Sequence, residues 1–201
     1  MDLFSEEKTT LHLPDAELIY IPNFINLQKA NQYFKYLKLN INWQQDDITL
    51  FGKTYKQPRL TALYAENDRS YSYSNITMHP NPFPFELLQL KQLIETESDH
   101  KFTTALINLY RDGNDSNGWH ADNEKELGEH PIIASLSLGA PRLFHFKHRH
   151  LKEERHKILL EHGSLLLMKG AMQKHWLHQI PKTKKNIGER INLTFRSIQS
   201  I

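Results

Sequence analysis

The chain has 201 residues, of which 39% are hydrophobic and 24% charged, and its formal net charge is +2. This composition is typical of a soluble globular protein, the length fits a single domain, and the bulk charge does not by itself indicate nucleic-acid binding. Cysteine is absent, which excludes disulfide bonds, thiolate metal sites, iron–sulfur clusters and a cysteine nucleophile within the chain. Any metal ion must therefore be held by histidine and carboxylate side chains.

The N-terminal half predicts two helices that follow a short strand. Residues 1–17 are polar and are expected to form a loose arm. Residues 18–21 predict a strand that ends at a proline. Apolar residues at helical spacing predict one helix over residues 27–37 and a second over about residues 85–97. We expect both helices to be part of the scaffold.

The C-terminal half, from about residue 100 to 201, is predicted to consist of short strands separated by turn residues. The predicted strands span residues 104–110, 132–138, 143–146, 158–160, 164–168 and 191–198. Many short strands at this spacing are typical of a β-sandwich or barrel. The sequence therefore predicts one α+β domain over residues 1–201, with two helices packed on an all-β half.

A histidine and an aspartate lie two residues apart, at His120 and Asp122. In an extended segment both side chains point to the same face, so one metal ion can take both as ligands. His175 and His178 offer a third ligand, but they are three positions apart, so only one of them can face the site. The spacing leaves open which one. Two histidines and one carboxylate form the facial triad of non-haem Fe(II) oxygenases, although each side chain alone is also compatible with a solvated surface position.

Residues 190–196 alternate strictly between polar and apolar side chains. The polar face carries Arg190, Asn192, Thr194 and Arg196. A solvated strand would show the same pattern. Two guanidinium groups that flank an amide and a hydroxyl also suit a dicarboxylate, because arginine binds carboxylates through two parallel hydrogen bonds. Asn108 and Tyr110 share one face of another predicted strand and can donate to the same anion.

Four polar segments occur in a fixed order along the chain. They are Asn108-Leu109-Tyr110-Arg111-Asp112-Gly113, His120-x-Asp122, His175-Trp176-x-His178-x-Ile180-Pro181 and Arg190-x-Asn192-Leu193-Thr194-Phe195-Arg196. Their order and spacing resemble those of the AlkB family, which comprises Fe(II)- and 2-oxoglutarate-dependent dioxygenases that repair alkylated nucleic acids. The resemblance extends from about residue 43 to residue 198, and the last segment is its most specific part.

The resemblance implies a jelly-roll core, also called a double-stranded β-helix, with N-terminal helices and a nucleotide-recognition lid at about residues 43–79. It implies that His120, Asp122 and His178 hold Fe(II), which leaves His175 a structural role. It also implies 2-oxoglutarate as co-substrate and O2 as oxidant. The residues it assigns to 2-oxoglutarate binding are Asn108, Tyr110, Arg190, Asn192, Thr194 and Arg196.

The lid resembles that of the duplex-DNA-repairing branch of the family. Phe51 would occupy the tip of a hairpin and fill the gap left by a flipped base, and Tyr73 would stack on that base. The other residues expected to contact the substrate are Gly52, Lys53, Arg59, Tyr71, Asn123 and Glu124. For Phe51 and Tyr73, ordinary core packing is the alternative.

The function implied by the resemblance is oxidative removal of alkyl groups from N-alkylated bases in single- or double-stranded DNA, with release of succinate, carbon dioxide and formaldehyde. The alternatives are an RNA demethylase, a protein or lipid hydroxylase on the same core, and a catalytically silent nucleic-acid-binding protein. Basic clusters at residues 147–157 and 182–185 suit a phosphate backbone. The sequence predicts no secretory signal and no membrane span, so we expect the protein in the cytoplasm, or in the nucleus of a eukaryote. We also expect a monomer.

Overall fold

The computed structural model describes residues 7–50, 52–67, 71–73 and 76–198. The strands in these ranges are β1 (Thr9–Leu13), β2 (Ala16–Ile21), β3 (Asp47–Leu50), β4 (Lys53–Lys56), β5 (Leu60–Ala65), β6 (Tyr71–Tyr73), β7 (Ile76–Met78), β8 (Asn81–Pro82), β9 (Thr104–Tyr110), β10 (Asn117–His120), β11 (Ile133–Gly139), β12 (Arg142–His148), β13 (Arg155–Leu160), β14 (Ser164–Gly170), β15 (Trp176–Ile180) and β16 (Arg190–Arg196). The helices are α1 (Leu27–Asn40), α2 (Phe85–Ser98) and α3 (Met172–His175), and Lys125–Leu127 forms a 3₁₀ turn.

The eight consecutive strands β9 to β16 form a jelly roll. β9, β11, β14 and β16 belong to a large sheet of order β1-β2-β14-β11-β16-β9-β5-β8, and the other four form a small sheet of order β10-β15-β12-β13. Side chains from both sheets, such as Leu166 and Phe146, share one buried core. A jelly roll has eight antiparallel strands in two sheets of four, and the chain crosses repeatedly from one sheet to the other. This arrangement confirms the predicted core.

The helices α1 and α2 pack against the large sheet, on the side away from the small sheet. Leu37 of α1 and Ile94 of α2 are buried in the same cluster as Leu193 of β16. α1 begins where the sequence predicts, because the Asn26 side chain accepts a hydrogen bond from the backbone N–H of Lys29 at 3.0 Å. Both predicted helices are present, and the scaffold role expected of them is confirmed.

The N-terminal half also contributes strands to the large sheet, and here the prediction of a loose arm over residues 1–17 is wrong for the part that the structure describes. β1 pairs with β2 in an antiparallel hairpin, and β2 pairs with β14. The reason is the alternation in β1, where Leu11 and Leu13 pack against the core that the two sheets share. Residues 1–6 lie outside the described residues.

The segment predicted as a lid, at about residues 43–79, is interrupted by a core strand. β5 pairs with β9 in the large sheet, and its side chains are buried on both faces, with Tyr64 in the main core and Leu63 against Leu106. Two hairpins, β3–β4 and β6–β7, flank β5 and form small sheets of their own. The helices pack on the strands of the C-terminal half, as expected. The large sheet is also extended by β1, β2, β5 and β8 of the N-terminal half, of which only β2 was predicted.

Candidate active site

His120, Asp122 and His178 line one cavity, whose wall includes residues of both sheets. His120 ends β10 and is paired with His178 of β15, and their ring centroids are 4.2 Å apart. One possible ligand atom from each of the three residues lies within 4.8 Å of the others. The structure thus brings the three predicted ligands together, whereas His175 lies on α3 and stacks against His148.

The two histidines are held in the form that a metal ion requires. The Nδ1 atom of His120 lies 2.7 Å from the carbonyl oxygen of Gly118. A carbonyl only accepts hydrogen bonds, so Nδ1 carries the proton and Nε2 presents its lone pair. Burial lowers the pKa of His120, and burial together with the charge of His120 lowers the pKa of His178 to about 3. Both rings are therefore neutral at pH 7 and available as ligands.

Asp122 is held at both its carboxylate and its backbone. Its Oδ1 atom accepts a hydrogen bond from Nη2 of Arg196 at 2.8 Å, and its backbone N–H donates to Oε1 of Gln173 at 3.0 Å. Burial alone would raise the pKa of Asp122, but the positive charge of Arg196 brings it below the ordinary value. The carboxylate is thus ionised at neutral pH, the form in which it binds a divalent cation.

All six residues predicted to bind 2-oxoglutarate line the same cavity as the three candidate ligands. This follows from the register, because β9 and β16 are neighbours in which Asn108 faces Asn192 and Tyr110 faces Arg190. The polar faces of two adjacent strands therefore combine into one surface. The polar face of residues 190–196 therefore lines a buried cavity and is not a solvated face.

Arg190 is a buried cation without an anionic partner among the described residues. It is 1% exposed, and its Nη2 donates to Oγ of Ser137 at 2.9 Å. The Nε and Nη1 atoms are buried and have no hydrogen-bond partner in the described part of the chain. Burial lowers the pKa of Arg190 to about 10. The guanidinium lies 5.3 Å from the ring centroid of Tyr110, but a ring face does not replace an anion. A buried charge without an anionic partner is costly, so the two donors fit a ligand that carries a carboxylate.

A metal ion also fits the donor set. Two neutral imidazoles and one carboxylate suit Fe(II), and the Nδ1 atom of His178 is buried without a hydrogen-bond partner in the described ranges. The residues present therefore fit both an iron ion and a dicarboxylate next to it.

Asn192 and Thr194 line the cavity but are also bonded within the sheets. The Asn192 side-chain amide donates to Oγ of Ser135 at 2.8 Å and to the Leu136 carbonyl at 3.2 Å. The Thr194 hydroxyl donates to Oδ1 of Asn192 at 3.2 Å. These contacts fix both side chains along the wall of the cavity, where their predicted contact with 2-oxoglutarate stays a prediction.

Arg59 lies deeper than a surface contact would. It is buried, and its Nε donates to Oδ1 of Asn108 at 2.8 Å, while its Nη1 donates to the carbonyl oxygen of Ser116. Asn123 and Glu124 directly follow Asp122, the first exposed and the second half-buried. For all three, contact with a substrate base remains a prediction.

The lid residues that the structure describes belong to the segments of the two hairpins that flank β5 in the chain. Gly52 follows β3 with φ of 75°, a left-handed conformation that suits glycine, and Lys53 begins β4 as an exposed residue. Phe51 lies outside the described residues, and so do the side chains of Tyr71 and Tyr73, whose backbones form β6. Their roles in base recognition stay predictions.

A second cluster of possible ligands, Asp15, His148 and His175, does not have the proton arrangement of a metal site. Nδ1 of His148 accepts hydrogen bonds from the backbone N–H groups of His150 and Leu151 at 3.1 and 3.0 Å. The proton must then lie on Nε2, which points to Asp15 at 3.3 Å. A metal-bound histidine instead donates from its second nitrogen, so this cluster fastens the β1–β2 turn to β12.

Comparison with known proteins agrees with this geometry. A family model described as the 2OG-Fe(II) oxygenase superfamily matches residues 17–196. The chain belongs to this superfamily. It is 45% identical over 186 residues to alpha-ketoglutarate-dependent dioxygenase alkB homolog 3 of Bos taurus, which covers 88% of this chain and 64% of that protein. It is 34% identical over 214 residues to the DNA oxidative demethylase ALKBH2 of Arabidopsis thaliana, which covers 91% of this chain and 67% of that protein.

The chain is thus an AlkB-family protein, which confirms the resemblance found in the sequence. Its fold is similar to the solved structure of OsALKBH1, with a TM-score of 0.67, 17% identity, and coverage of 94% of this chain and 100% of that chain. The chain spans less than two thirds of the length of the alkB homolog 3 proteins that it matches. None of the helices in the described ranges has the length and hydropathy of a membrane span.

Two features of the site could not be found from the sequence. Gln173 reaches Asp122 from a distant segment, and a single glutamine in a polar stretch gives no signal. The strands β10 and β15 carry the histidine ligands but were not predicted as strands. They are short and rich in histidine and tryptophan, so neither shows a clear alternation.

Proposed function

We propose that this chain is an Fe(II)- and 2-oxoglutarate-dependent dioxygenase that oxidatively dealkylates N-alkylated bases in DNA and thereby acts in DNA repair. The observation that carries the proposal is the placement of His120, Asp122 and His178 in one cavity with Arg190, a buried cation that has no anionic partner among the described residues. The names of the relatives support it, since they are DNA oxidative demethylases and an alpha-ketoglutarate-dependent dioxygenase. An intracellular setting and a monomeric state are part of the proposal.

The residues of the site fall into two groups, one that would hold the metal ion and one that would bind the co-substrate. His120, Asp122 and His178 would hold Fe(II), and Arg196 keeps Asp122 ionised. Arg190 would bind a carboxylate of 2-oxoglutarate through its free donors. Iron together with 2-oxoglutarate and O2 supplies the oxidation of the alkyl carbon, which leaves as formaldehyde while the co-substrate leaves as succinate and carbon dioxide.

The chain also keeps water away from the reacting groups. Leu106, Phe144 and Met168 line the same cavity as the ligands, and all three are buried. An apolar wall next to charged groups strengthens their electrostatic interactions. A base in a duplex must leave the stack to reach this cavity, at a cost of a few kcal/mol.

A basic surface on the outer face of the small sheet supports a nucleic-acid substrate. In register, Lys147 of β12 faces Arg155 of β13, and Lys157 of β13 adds a further exposed cation. Like charges directly opposite each other destabilise a sheet, so this face suits an anionic partner such as a phosphate backbone. Trp119, next to the candidate ligand His120, is partly exposed, and the Lys147 ammonium lies 4.3 Å from its ring centroid.

Replacing Lys147 with glutamine is expected to weaken binding of a methylated oligonucleotide and to reduce the salt dependence of binding by about one unit of slope, because one phosphate contact is lost. The affinity should be measured by fluorescence anisotropy at several salt concentrations. Lys29→Gln, on the exposed side of α1, is the matched control and should change neither quantity. Equal slopes for Lys147→Gln and the unaltered chain would show that Lys147 does not contact a phosphate of the oligonucleotide.

Replacing Tyr73 with alanine is expected to weaken oligonucleotide binding by about 1–3 kcal/mol, the value of one base-stacking contact, without changing 2-oxoglutarate affinity. Phe51→Ala should instead impair duplex substrates more than single strands, because its predicted role is to fill the gap in a base stack. Both variants should be compared on single-stranded and duplex forms of one methylated sequence. If Phe51→Ala weakens binding of both forms equally and Tyr73→Ala weakens neither, the two rings have no role in base recognition and are better explained by core packing.

The experiment that tests the proposed function is succinate release with Fe(II) and 2-oxoglutarate, measured with methylated single-stranded DNA, duplex DNA and RNA. We expect both DNA forms to stimulate release and to lose their methyl groups. Turnover with RNA alone would identify an RNA demethylase. Turnover that no nucleic acid stimulates would favour a protein or lipid hydroxylase, and binding without turnover would indicate a silent nucleic-acid-binding protein.

A further inference from the structure

The loop that carries Asp122 lies outside the sheets. β10 ends at His120, and the 3₁₀ turn begins only at Lys125. The backbone of Asp122 therefore has no strand partner, although the residue is 1% exposed. Its N–H group donates to Oε1 of Gln173 at 3.0 Å, so one side chain satisfies the buried backbone donor of the loop.

Gln173 connects this loop to the segment that carries a second ligand. It belongs to α3, which joins β14 to β15, and β15 contains His178. The side chain is 2% exposed. β10 and β15 are already paired at His120 and His178. The hydrogen bond of Gln173 adds a contact between the loop that follows β10 and the helix that precedes β15, beyond the ends of that pairing.

The chemistry of the glutamine side chain indicates that the contact with Asp122 is its main role. A backbone N–H can only donate, so the amide oxygen must face Asp122. The amide nitrogen then points to Sδ of Met168 at 3.7 Å, and a thioether is a weak acceptor. A methionine or leucine would fill the same space without burying an amide, but would leave the Asp122 N–H unpaired.

We propose that Gln173 is a positioning residue of the metal centre. Arg196 holds the carboxylate of Asp122 and Gln173 holds its backbone, so the ligand is fixed at two points relative to the histidines. Metal sites need their ligands held to within about 0.5 Å, and a loop without ladder hydrogen bonds does not provide this. The inference rests on the proposed function only in that the triad binds a metal ion.

The test is the affinity of the full, metal-free chain for Co(II), measured by absorbance without co-substrate or nucleic acid. Gln173→Met keeps the volume and removes the acceptor, and we expect it to weaken Co(II) binding by about 10- to 100-fold and to alter the visible Co(II) spectrum. Gln173→Glu keeps an oxygen acceptor and should restore both. The matched control is Gln57→Met, the same change at another buried glutamine that lies outside the candidate site, and it should leave Co(II) affinity unchanged.

Each outcome separates this inference from the proposed function. If the unaltered chain does not bind Co(II), the metal site itself is wrong. If the unaltered chain and Gln173→Met bind equally well, or if Gln57→Met loses as much affinity as Gln173→Met, Gln173 has no positioning role. Should Gln173→Met fail to fold, Gln173→Asn, whose amide is too short to reach, is compared with Gln173→Glu. Hydrogen exchange of the Asp122 amide gives a second reading, because it should be protected only where the acceptor is retained.

Discussion

Replacing Asp122 with alanine is expected to abolish succinate release and to lower metal affinity, because Asp122 is the only anion among the three candidate ligands. The change also leaves the guanidinium of Arg196 buried without the carboxylate that it bonds at 2.8 Å. Breaking a buried pair in this way costs about 3–5 kcal/mol of folding stability. Turnover and the free energy of unfolding should therefore both be measured.

The double variant Asp122→Ala with Arg196→Met is the control that separates the two effects. It removes both buried charges together, so we expect it to recover much of the lost stability but none of the turnover. A well-folded Asp122→Ala chain that releases succinate at the native rate with Fe(II) would show that the ligand assignment is wrong. Equal stability of the single and double variants would show that the pair with Arg196 contributes little.

The parts of the site that the sequence predicted are those with a local pattern. The alternation of residues 190–196 places its polar residues on one face whatever the neighbouring strand is. The same holds for Asn108 and Tyr110, two residues apart in β9. All seven predicted strands and both predicted helices are present, because their apolar periodicity matches the faces that they bury.

The parts that could not be predicted depend on partners distant in sequence. Spacing alone left the choice between His175 and His178 open, and only the family resemblance favoured His178. In the structure, His175 lies in α3 and His178 in β15, opposite His120. The strands β1 and β5 join the sheet through pairing with β2 and β9, and polar residues in and around them indicated an arm and a lid. The ion pair of Asp122 with Arg196 joins residues that are 74 positions apart, a separation at which spacing gives no information.

Arg190→Met is expected to have opposite effects on ligand binding and on stability. Loss of a charged anchor should weaken 2-oxoglutarate binding by about 2–5 kcal/mol, which corresponds to a loss of roughly 30-fold or more. The metal-free chain, however, should become about 1–4 kcal/mol more stable or remain unchanged, because methionine fills the space without burying a charge that has no anionic partner in the described chain. Thermal shifts with 2-oxoglutarate and urea unfolding without it measure the two effects.

Arg142→Met is the matched control for that prediction. Arg142 is also buried, but its guanidinium donates to the backbone carbonyl oxygens of Asp112, Asp115 and Pro181 at 3.2, 2.9 and 2.6 Å. Removing it leaves these acceptors unpaired, so the same substitution should destabilise the chain. If Arg190→Met lowers the free energy of unfolding as much as Arg142→Met does, or leaves 2-oxoglutarate affinity intact, Arg190 is a structural residue. The opposite signs that we expect follow from one difference. The fold supplies three carbonyl acceptors to Arg142, whereas Nε and Nη1 of Arg190 have no acceptor in the described chain and await a ligand.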